Sequence, residues 1–140
     1  MVTHHAVDYA ALAKTTAALT VGETDPVALM ATVACEVHFS DSRFDWTRFY
    51  SAVAPEVMKI GLYQGGHGCL VTLFLRGAVA RSGEAQIVAD LAAFAGHTAC
   101  DSATCSELEL PVLPVRAACL GCSTLTAIKQ MPLGCWMPML

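Results

Sequence analysis

The sequence has few charged residues and no long uninterrupted apolar run. Only 14% of its 140 residues are charged, whereas 55% are hydrophobic, a composition typical of a folded core and not of a disordered chain. No stretch of the sequence reaches the roughly 18 consecutive apolar residues that a membrane helix needs. We therefore expect a single domain over residues 1–140 that does not span a membrane.

The chain also lacks a basic excess and a recognisable secretory leader. Its net charge is −4 and its Lys and Arg residues are scattered, so we expect no binding to nucleic acid. Residues 1–10 contain no basic start followed by an apolar run, which favours a cytoplasmic location. In a reducing cytosol, cysteines serve structural, metal-binding or catalytic roles.

Cysteine is the abundant residue that needs an explanation. The seven cysteines are odd in number and irregularly spaced, unlike a secreted disulfide framework. Cys119 and Cys122 have Cys-x-x-Cys spacing, but a structural zinc site needs four ligands, and Cys105 and Cys135 are distant in sequence. The pair also lacks the βαβ context of a thioredoxin-like motif. We therefore expect no metal and no cofactor.

Hydrophobic spacing predicts two helices followed by short strands. Residues 8–20 are rich in Ala, and a second helix begins at Thr24-Asp25-Pro26 and runs to about His38. Alternation and turn residues then predict strands over residues 44–50, 56–63, 69–75 and 86–88, and a final hairpin over 108–115 and 116–121. This order indicates an α+β domain with an antiparallel sheet.

A long segment with little periodicity, residues 89–106, contains Cys100. A connection of this length inside a compact domain is often a functional loop. The nearby His97 would favour the thiolate form of Cys100, which is the reactive form. From the residues alone, however, a small buried filler is the more common role of a free cysteine.

Several stretches of the sequence together resemble the free methionine-(R)-sulfoxide reductases, GAF-fold enzymes that reduce the free amino acid. Residues 45–50, Asp-Trp-Thr-Arg-Phe-Tyr, are similar to the family's Asn-Trp-x-Gly-Phe-Tyr strand, and residues 63–69, Tyr-Gln-Gly-Gly-His-Gly-Cys, to its Phe-Gln-Gly-x-x-x-Cys loop. The rest of the match lies in residues 83–90, 94–103 and 106–111. The resemblance covers about residues 25–121, with the segments in the family's order and at similar spacing.

The resemblance implies a fold and a reaction. The fold would be GAF-like, with a central antiparallel β-sheet flanked by helices. The reaction would be reduction of free L-methionine (R)-S-oxide to methionine. Cys100 matches the nucleophile that becomes a sulfenic acid, and Cys69 matches its resolving partner. A thioredoxin-type reductant would reopen the resulting disulfide. A homodimer is compatible with this assignment.

The same resemblance assigns three substrate-binding residues. Glu107 matches a carboxylate at the polar end of the substrate, where it can bind the ammonium group and help to protonate the departing oxygen. Trp46 and Tyr50 match the aromatic walls of the pocket, and their spacing of four puts both on one face of a strand. Without the resemblance, such aromatic residues are more often core and a single Glu is usually solvated.

The sequence departs from the family in two places. About three residues, including a third cysteine, are absent after Gly77, where the family has Gly-Arg-Gly-Val-Cys-Gly. The family's Gly-Val-Leu-Asp-Ile/Leu-Asp-Ser motif, whose two aspartates line the substrate site, is replaced at residues 120–126 by Leu-Gly-Cys-Ser-Thr-Leu-Thr. We therefore expect weak substrate binding and an aberrant tail over residues 122–140, with the C-terminal helix missing or aberrant.

A single inserted base would restore the missing motif. One G inserted after the codon of Gly121 allows residues 120–127 to read Leu-Gly-Val-Leu-Asp-Leu-Asp-Ser, and every base that the genetic code fixes at these positions fits. We therefore predict that the chain is read out of frame from about Cys122; the alternative is a diverged C terminus.

The alternative function is a catalytically impaired or inactive GAF module that binds a small ligand or senses oxidation.

Overall fold

Two helices precede a six-stranded sheet. The computed structural model of the chain describes residues 7–54, 57–66, 70–72, 79, 82–91, 93, 104–112 and 123–130. Its elements are α1 (Tyr9–Leu19), α2 (Pro26–Ser40), β1 (Trp46–Ala54), β2 (Val57–Gly65), β3 (Val71–Thr72), β4 (Gln86–Val88), β5 (Thr104–Val112) and β6 (Ser123–Gln130). Both predicted helices and the α+β class are confirmed. No helix in the described part of the chain has the length and apolar character needed to cross a membrane.

Local sequence explains where α2 begins. The Asp25 side chain accepts a hydrogen bond of 2.9 Å from the Val27 N–H, and Pro26 occupies the first turn, where no N–H is needed. Just before the helix, the Glu23 side chain accepts hydrogen bonds from the backbone N–H groups of Thr24 and Asp25, and these hold the pKa of the Glu23 carboxyl below its ordinary value. The helix packs against β1 and β2.

Replacing the capping residue of α2 is expected to weaken the fold modestly. Asp25→Ala removes the acceptor for the Val27 N–H and should lower the free energy of unfolding by about 1 kcal/mol. Urea denaturation followed by circular dichroism measures the loss. Asp25→Asn keeps a capping oxygen and is the control, so an equal loss in both variants would show that the hydrogen bond is not the cause.

The sheet is antiparallel throughout, in the order β3-β2-β1-β6-β5-β4. The predicted final hairpin is wrong in its second strand. The partner of β5 is Ser123–Gln130, not residues 116–121, and this strand also pairs with β1. Strand pairing depends on contacts between residues distant in sequence, so the absence of the family motif at residues 120–126 was a poor guide to where the last strand lies. Part of the tail that was expected to be aberrant therefore forms a central strand. The expectation that the C-terminal helix is missing or aberrant concerns residues 131–140, which lie outside the described residues.

Candidate functional site

Strand β1 presents a buried aromatic and cationic face. Trp46, Arg48 and Tyr50 are 5%, 2% and 0% exposed, and their spacing of two places them on the same side of the strand. Thr47 and Phe49 alternate with them and are buried as well, so both faces of this part of β1 are covered. The shared face predicted for Trp46 and Tyr50 is confirmed by the contacts of Arg48.

The Arg48 guanidinium lies against both aromatic rings. Its Cζ atom is 4.6 Å from the centre of the Trp46 ring and 5.5 Å from the centre of the Tyr50 ring. Both distances are within the range in which a cation is attracted by the negative face of an aromatic ring, and the attraction is stronger where water is excluded. The two aromatic residues and the cation therefore form one buried cluster.

Two carboxylates reach the same face from β5. Glu107 Oε1 lies 3.5 Å from Arg48 Nη2, and both side chains are almost fully buried. The strand register explains the approach: Glu107 and Trp46 both pair with Ile128 of β6, while Glu109 and Arg48 both pair with Thr126. Cross-strand partners lie on the same side of a sheet, and Glu109 is 0% exposed.

One basic and two acidic side chains, those of Arg48, Glu107 and Glu109, lie where water does not reach them. Removing a charge from water is costly unless an opposite charge and hydrogen bonds offset the loss, and even then the net gain in stability is small or negative. An apolar set of residues at Arg48, Glu107 and Glu109 would make a simpler core. A buried polar cluster of this kind is typical of a functional site, where local rules of stability are broken.

Two glycines allow the end of β2 to close over the cluster. Gly65 adopts φ +92°, and a Cβ placed on Gly66 would overlap the Trp46 indole at Nε1. The Gly66 N–H also donates a hydrogen bond of 3.4 Å to the Asp45 carbonyl. Since glycine readily adopts the left-handed conformation and leaves room for this close approach, Gly65 and Gly66 hold the end of β2 and the residue after it against the indole.

Gly66→Ala is expected to disturb the site and to destabilise the protein. The added methyl would overlap the Trp46 indole, and relief of such overpacking costs typically 1–3 kcal/mol. The matched control is Gly61→Ala within β2, where the nearest atom to a new Cβ is the Phe49 carbonyl oxygen at 3.6 Å. Denaturant unfolding and Trp fluorescence compare the two variants; equal behaviour would contradict the packing described here.

The two predicted catalytic cysteines, Cys69 and Cys100, lie outside the described residues, so their pairing stays a prediction. Cys69 follows Gly66 closely in sequence, and Glu107 lies shortly after Cys100. The three predicted substrate-binding residues Trp46, Tyr50 and Glu107 are brought together around Arg48. Within the part of the chain that the structure describes, no group of three or more His, Cys, Asp or Glu side chains is placed to hold a metal ion.

Sequence reasoning missed Arg48 and Glu109. The signal for Arg48 was available, because it lies midway between Trp46 and Tyr50 in a strand and therefore shares their face. It also stands at the glycine of the family's Asn-Trp-x-Gly-Phe-Tyr motif. Glu109 alternates with Glu107 in the same way. Charged residues in a strand are usually assigned to solvent, and here that default is wrong.

Sequence comparison finds relatives of this chain. The chain is 34% identical over 109 residues to protein YtsP of Bacillus subtilis, covering 75% of this chain and 67% of that protein. It is 33% identical over 109 residues to the free methionine-R-sulfoxide reductase of Escherichia coli, covering 75% of this chain and 65% of the enzyme. The chain thus spans about two thirds of the length of these relatives. No family model matches the chain.

Solved structures with the same architecture define the class. A putative GAF sensor protein from Burkholderia vietnamiensis superposes with a TM-score of 0.72 at 30% identity, over 85% of this chain and 77% of that one. The free methionine-R-sulfoxide reductase of Neisseria meningitidis, solved in complex with its substrate, gives 0.74 at 25% identity, over 92% and 80%. The fold is a GAF domain. Within that class, the chain belongs to the free methionine-R-sulfoxide reductase family, whose named members are oxidoreductases.

Proposed function

We propose that this chain reduces free methionine (R)-sulfoxide to methionine. The observation that carries the proposal is the meeting of Trp46, Tyr50 and Glu107 on one buried face of the sheet. These residues come from strands far apart in sequence, and each matches a substrate-binding position of the family. Aromatic faces suit the sulfoxide methyl group, and a buried carboxylate suits the substrate ammonium group.

The reaction proposed for this site balances in three steps. The Cys100 thiol attacks the sulfoxide sulfur, methionine leaves, and the oxygen and proton remain on Cys100 as a sulfenic acid. The Cys69 thiol then attacks the Cys100 sulfur, releasing water and forming a disulfide. A thioredoxin-type dithiol reduces that disulfide by exchange and is itself oxidised. Glu107 would bind the substrate ammonium, and its carboxylate could also relay the thiol proton of Cys100 to the oxygen that leaves the methionine sulfur.

The proposal includes the setting in which the enzyme works. A thioredoxin-type reductant and a cytoplasmic location accompany it, since a catalytic disulfide must be reopened in each cycle. The proposed assembly is a homodimer. Light scattering of the reduced protein measures the assembly. Replacing thioredoxin by a monothiol such as glutathione tests whether a dithiol is required.

A coupled assay tests the function directly. Oxidation of NADPH through thioredoxin reductase and thioredoxin is followed with free methionine (R)-sulfoxide as substrate. The (S) epimer and a peptide-bound (R)-sulfoxide are the controls, and neither should support turnover. Turnover of the peptide or of both epimers would contradict the proposal, as would absence of turnover with the free (R) epimer.

The second candidate function is a catalytically impaired GAF module that binds a small ligand or senses oxidation through Cys69 and Cys100. Two observations favour it. Arg48 occupies the space between the aromatic rings, and positions 124 and 126, which pair with Tyr50 and Arg48, are threonines instead of aspartates. Ligand binding by calorimetry without turnover in the coupled assay would select this alternative.

A further inference from the structure

An open cavity of about 440 Å³ lies where α2 ends and the chain turns toward β1. Pockets that hold small ligands usually measure about 300–1,000 Å³, so there is room for one here. The cavity is lined by the end of α2, by the turn after it and by Gly65 of β2. Of the described residues that line it, none belongs to the buried cluster around Arg48, so it is separate from the proposed substrate site.

The polar lining of this cavity favours a ligand that carries positive charge and donates hydrogen bonds. Both charged residues of the lining, Asp41 and Asp45, are acidic, and carboxylates accept hydrogen bonds without donating any. The end of α2 adds to this character, because the last carbonyl groups of a helix have no partner within the helix and carry partial negative charge. The Arg43 guanidinium bonds to Asp41 and offsets one of the two charges, which favours a ligand with a single positive charge.

One nitrogen at the cavity lacks a hydrogen-bond partner. His38 is a lining residue, and its Nδ1 atom is buried with no partner among the described groups. A buried polar atom left unsatisfied is costly, and in a neutral imidazole one of the two ring nitrogens accepts hydrogen bonds. A ligand with several N–H groups would satisfy this nitrogen and a neighbouring carboxylate together.

Asp45 gives the cavity a charge that the family motif lacks. The motif Asn-Trp-x-Gly-Phe-Tyr has an uncharged asparagine at this position. Asp45 directly precedes Trp46 in β1, and its carbonyl accepts the Gly66 N–H. A ligand bound between Asp45 and Gly65 would therefore contact the neighbours of both residues that meet at the indole, so the fluorescence of Trp46 can report its binding.

We propose that this cavity is a second ligand site and that it binds small organic monocations, namely a primary ammonium or guanidinium group on a short alkyl chain. The cationic N–H groups donate to the Asp45 carboxylate and to His38 Nδ1. The alkyl chain lies against the rings of Phe39 and Phe44, which also line the cavity. A free amino acid is disfavoured, because Asp41 and Asp45 repel its carboxylate. The site is therefore independent of the proposed reduction of methionine sulfoxide.

Four small probes titrated into the reduced full chain test the ligand class by calorimetry. The probe expected to bind is n-butylammonium. Uncharged 1-butanol and anionic butanoate should bind at least about tenfold more weakly, because they lose the charge-assisted hydrogen bonds. Tetramethylammonium carries the charge without N–H donors and should also bind more weakly. Equal Kd values for n-butylammonium and 1-butanol overturn the proposal, as does tighter binding of tetramethylammonium.

Three variants test where n-butylammonium binds. Asp45→Asn restores the residue of the family motif and should raise the Kd at least about tenfold. His38→Phe keeps a ring beside Gly65, removes the nitrogen and should raise the Kd about threefold or more. The matched control, Asp25→Asn, removes a carboxylate at the other end of α2 and should leave the Kd unchanged. An unchanged Kd in Asp45→Asn or His38→Phe, or an equal rise in Asp25→Asn, overturns the proposal.

Two further measurements keep this site apart from the proposed substrate site. The sequence has two tryptophans, so Trp136→Phe leaves Trp46 as the only indole, and its emission should change saturably with n-butylammonium. Free methionine (R)-sulfoxide should not displace the bound n-butylammonium. Displacement would put both ligands in one site and overturn the proposal. Binding of n-butylammonium without reduction of the sulfoxide supports the second site and counts against the reductase alone.

Discussion

Cys100→Ser is expected to lower the turnover of free methionine (R)-sulfoxide by at least about three orders of magnitude, because a hydroxyl cannot supply the nucleophile that a thiolate provides. Cys69→Ser should retain the first step and lose recycling. A single equivalent of methionine would then form per protein, and the Cys100 sulfenic acid would accumulate with no resolving partner. Rapid-quench analysis of methionine, together with mass spectrometry after dimedone trapping, measures both outcomes.

The control for the thiol variants is Cys35→Ser. Cys35 is a free, half-buried cysteine of α2, and it belongs to none of the groups that surround Arg48. Its replacement should leave turnover close to that of the unaltered chain. Full activity in Cys100→Ser would assign the nucleophile to another cysteine, and repeated turnover in Cys69→Ser would show that reductant reaches the sulfenic acid directly.

Breaking the buried ion pair is expected to have the largest effect on stability. Glu107→Leu leaves Arg48 without the carboxylate that lies 3.5 Å away and should lower the free energy of unfolding by roughly 3 kcal/mol or more. The double variant Arg48→Met/Glu107→Leu removes both charges and should recover much of the loss, since apolar replacement of a complete pair is often neutral. Denaturant unfolding of both single variants and the double variant completes the thermodynamic cycle.

The sign of the coupling energy decides the interpretation. A double variant less destabilised than the sum of the two single variants shows that Arg48 and Glu107 stabilise each other. Strict additivity would show that the 3.5 Å approach contributes nothing beyond the separate packing of each side chain. Glu84→Gln, at an exposed residue before β4, is the control for removal of a carboxylate and should change stability by no more than about 0.5 kcal/mol.

The helices and the first strands could be predicted because their signals are local. The capping residue Asp25 and the proline after it mark the start of α2, and alternation marks β1 and β2. The partner of β5 could not be predicted in this way, because strand pairing depends on contacts between residues distant in sequence. The tail was interpreted through the absence of a motif, although the alternation of threonine with apolar residues over positions 124–127, Thr-Leu-Thr-Ala, suits a strand.

The candidate site could be predicted where the family motif is retained and not where it departs. Trp46, Tyr50 and Glu107 were assigned from the resemblance, and the structure brings them together. Arg48 was passed over because the motif position is glycine and a charged residue in a strand is normally solvated. The burial of Arg48 depends on the neighbouring strands, and a local sequence pattern does not predict which strands those are.

The reading-frame hypothesis stays a prediction. The register of β6 identifies the residues of β1 that the restored aspartates would face. The restored motif would place aspartates at positions 124 and 126, opposite Tyr50 and Arg48 of β1. Position 124 lies on the row of Tyr50, a proposed substrate-binding residue, and position 126 lies on the row of Arg48 and Glu109. The nucleotide sequence of codons 120–137 decides the matter: codons that yield no such motif in either shifted frame would end the hypothesis.

The position of β6 also governs how the chain can fold. It is the last of the described strands to be synthesised, yet it lies between β1 and β5 in the sheet. Until it arrives, the β1–β2 and β4–β5 hairpins have no strand to join them, and each leaves an unpaired edge that can recruit another chain. Such late, long-range closure predicts slow folding and a window for aggregation on the ribosome. Errors in the codons of this strand would therefore lower the yield of soluble protein before they lower the activity of the protein that folds.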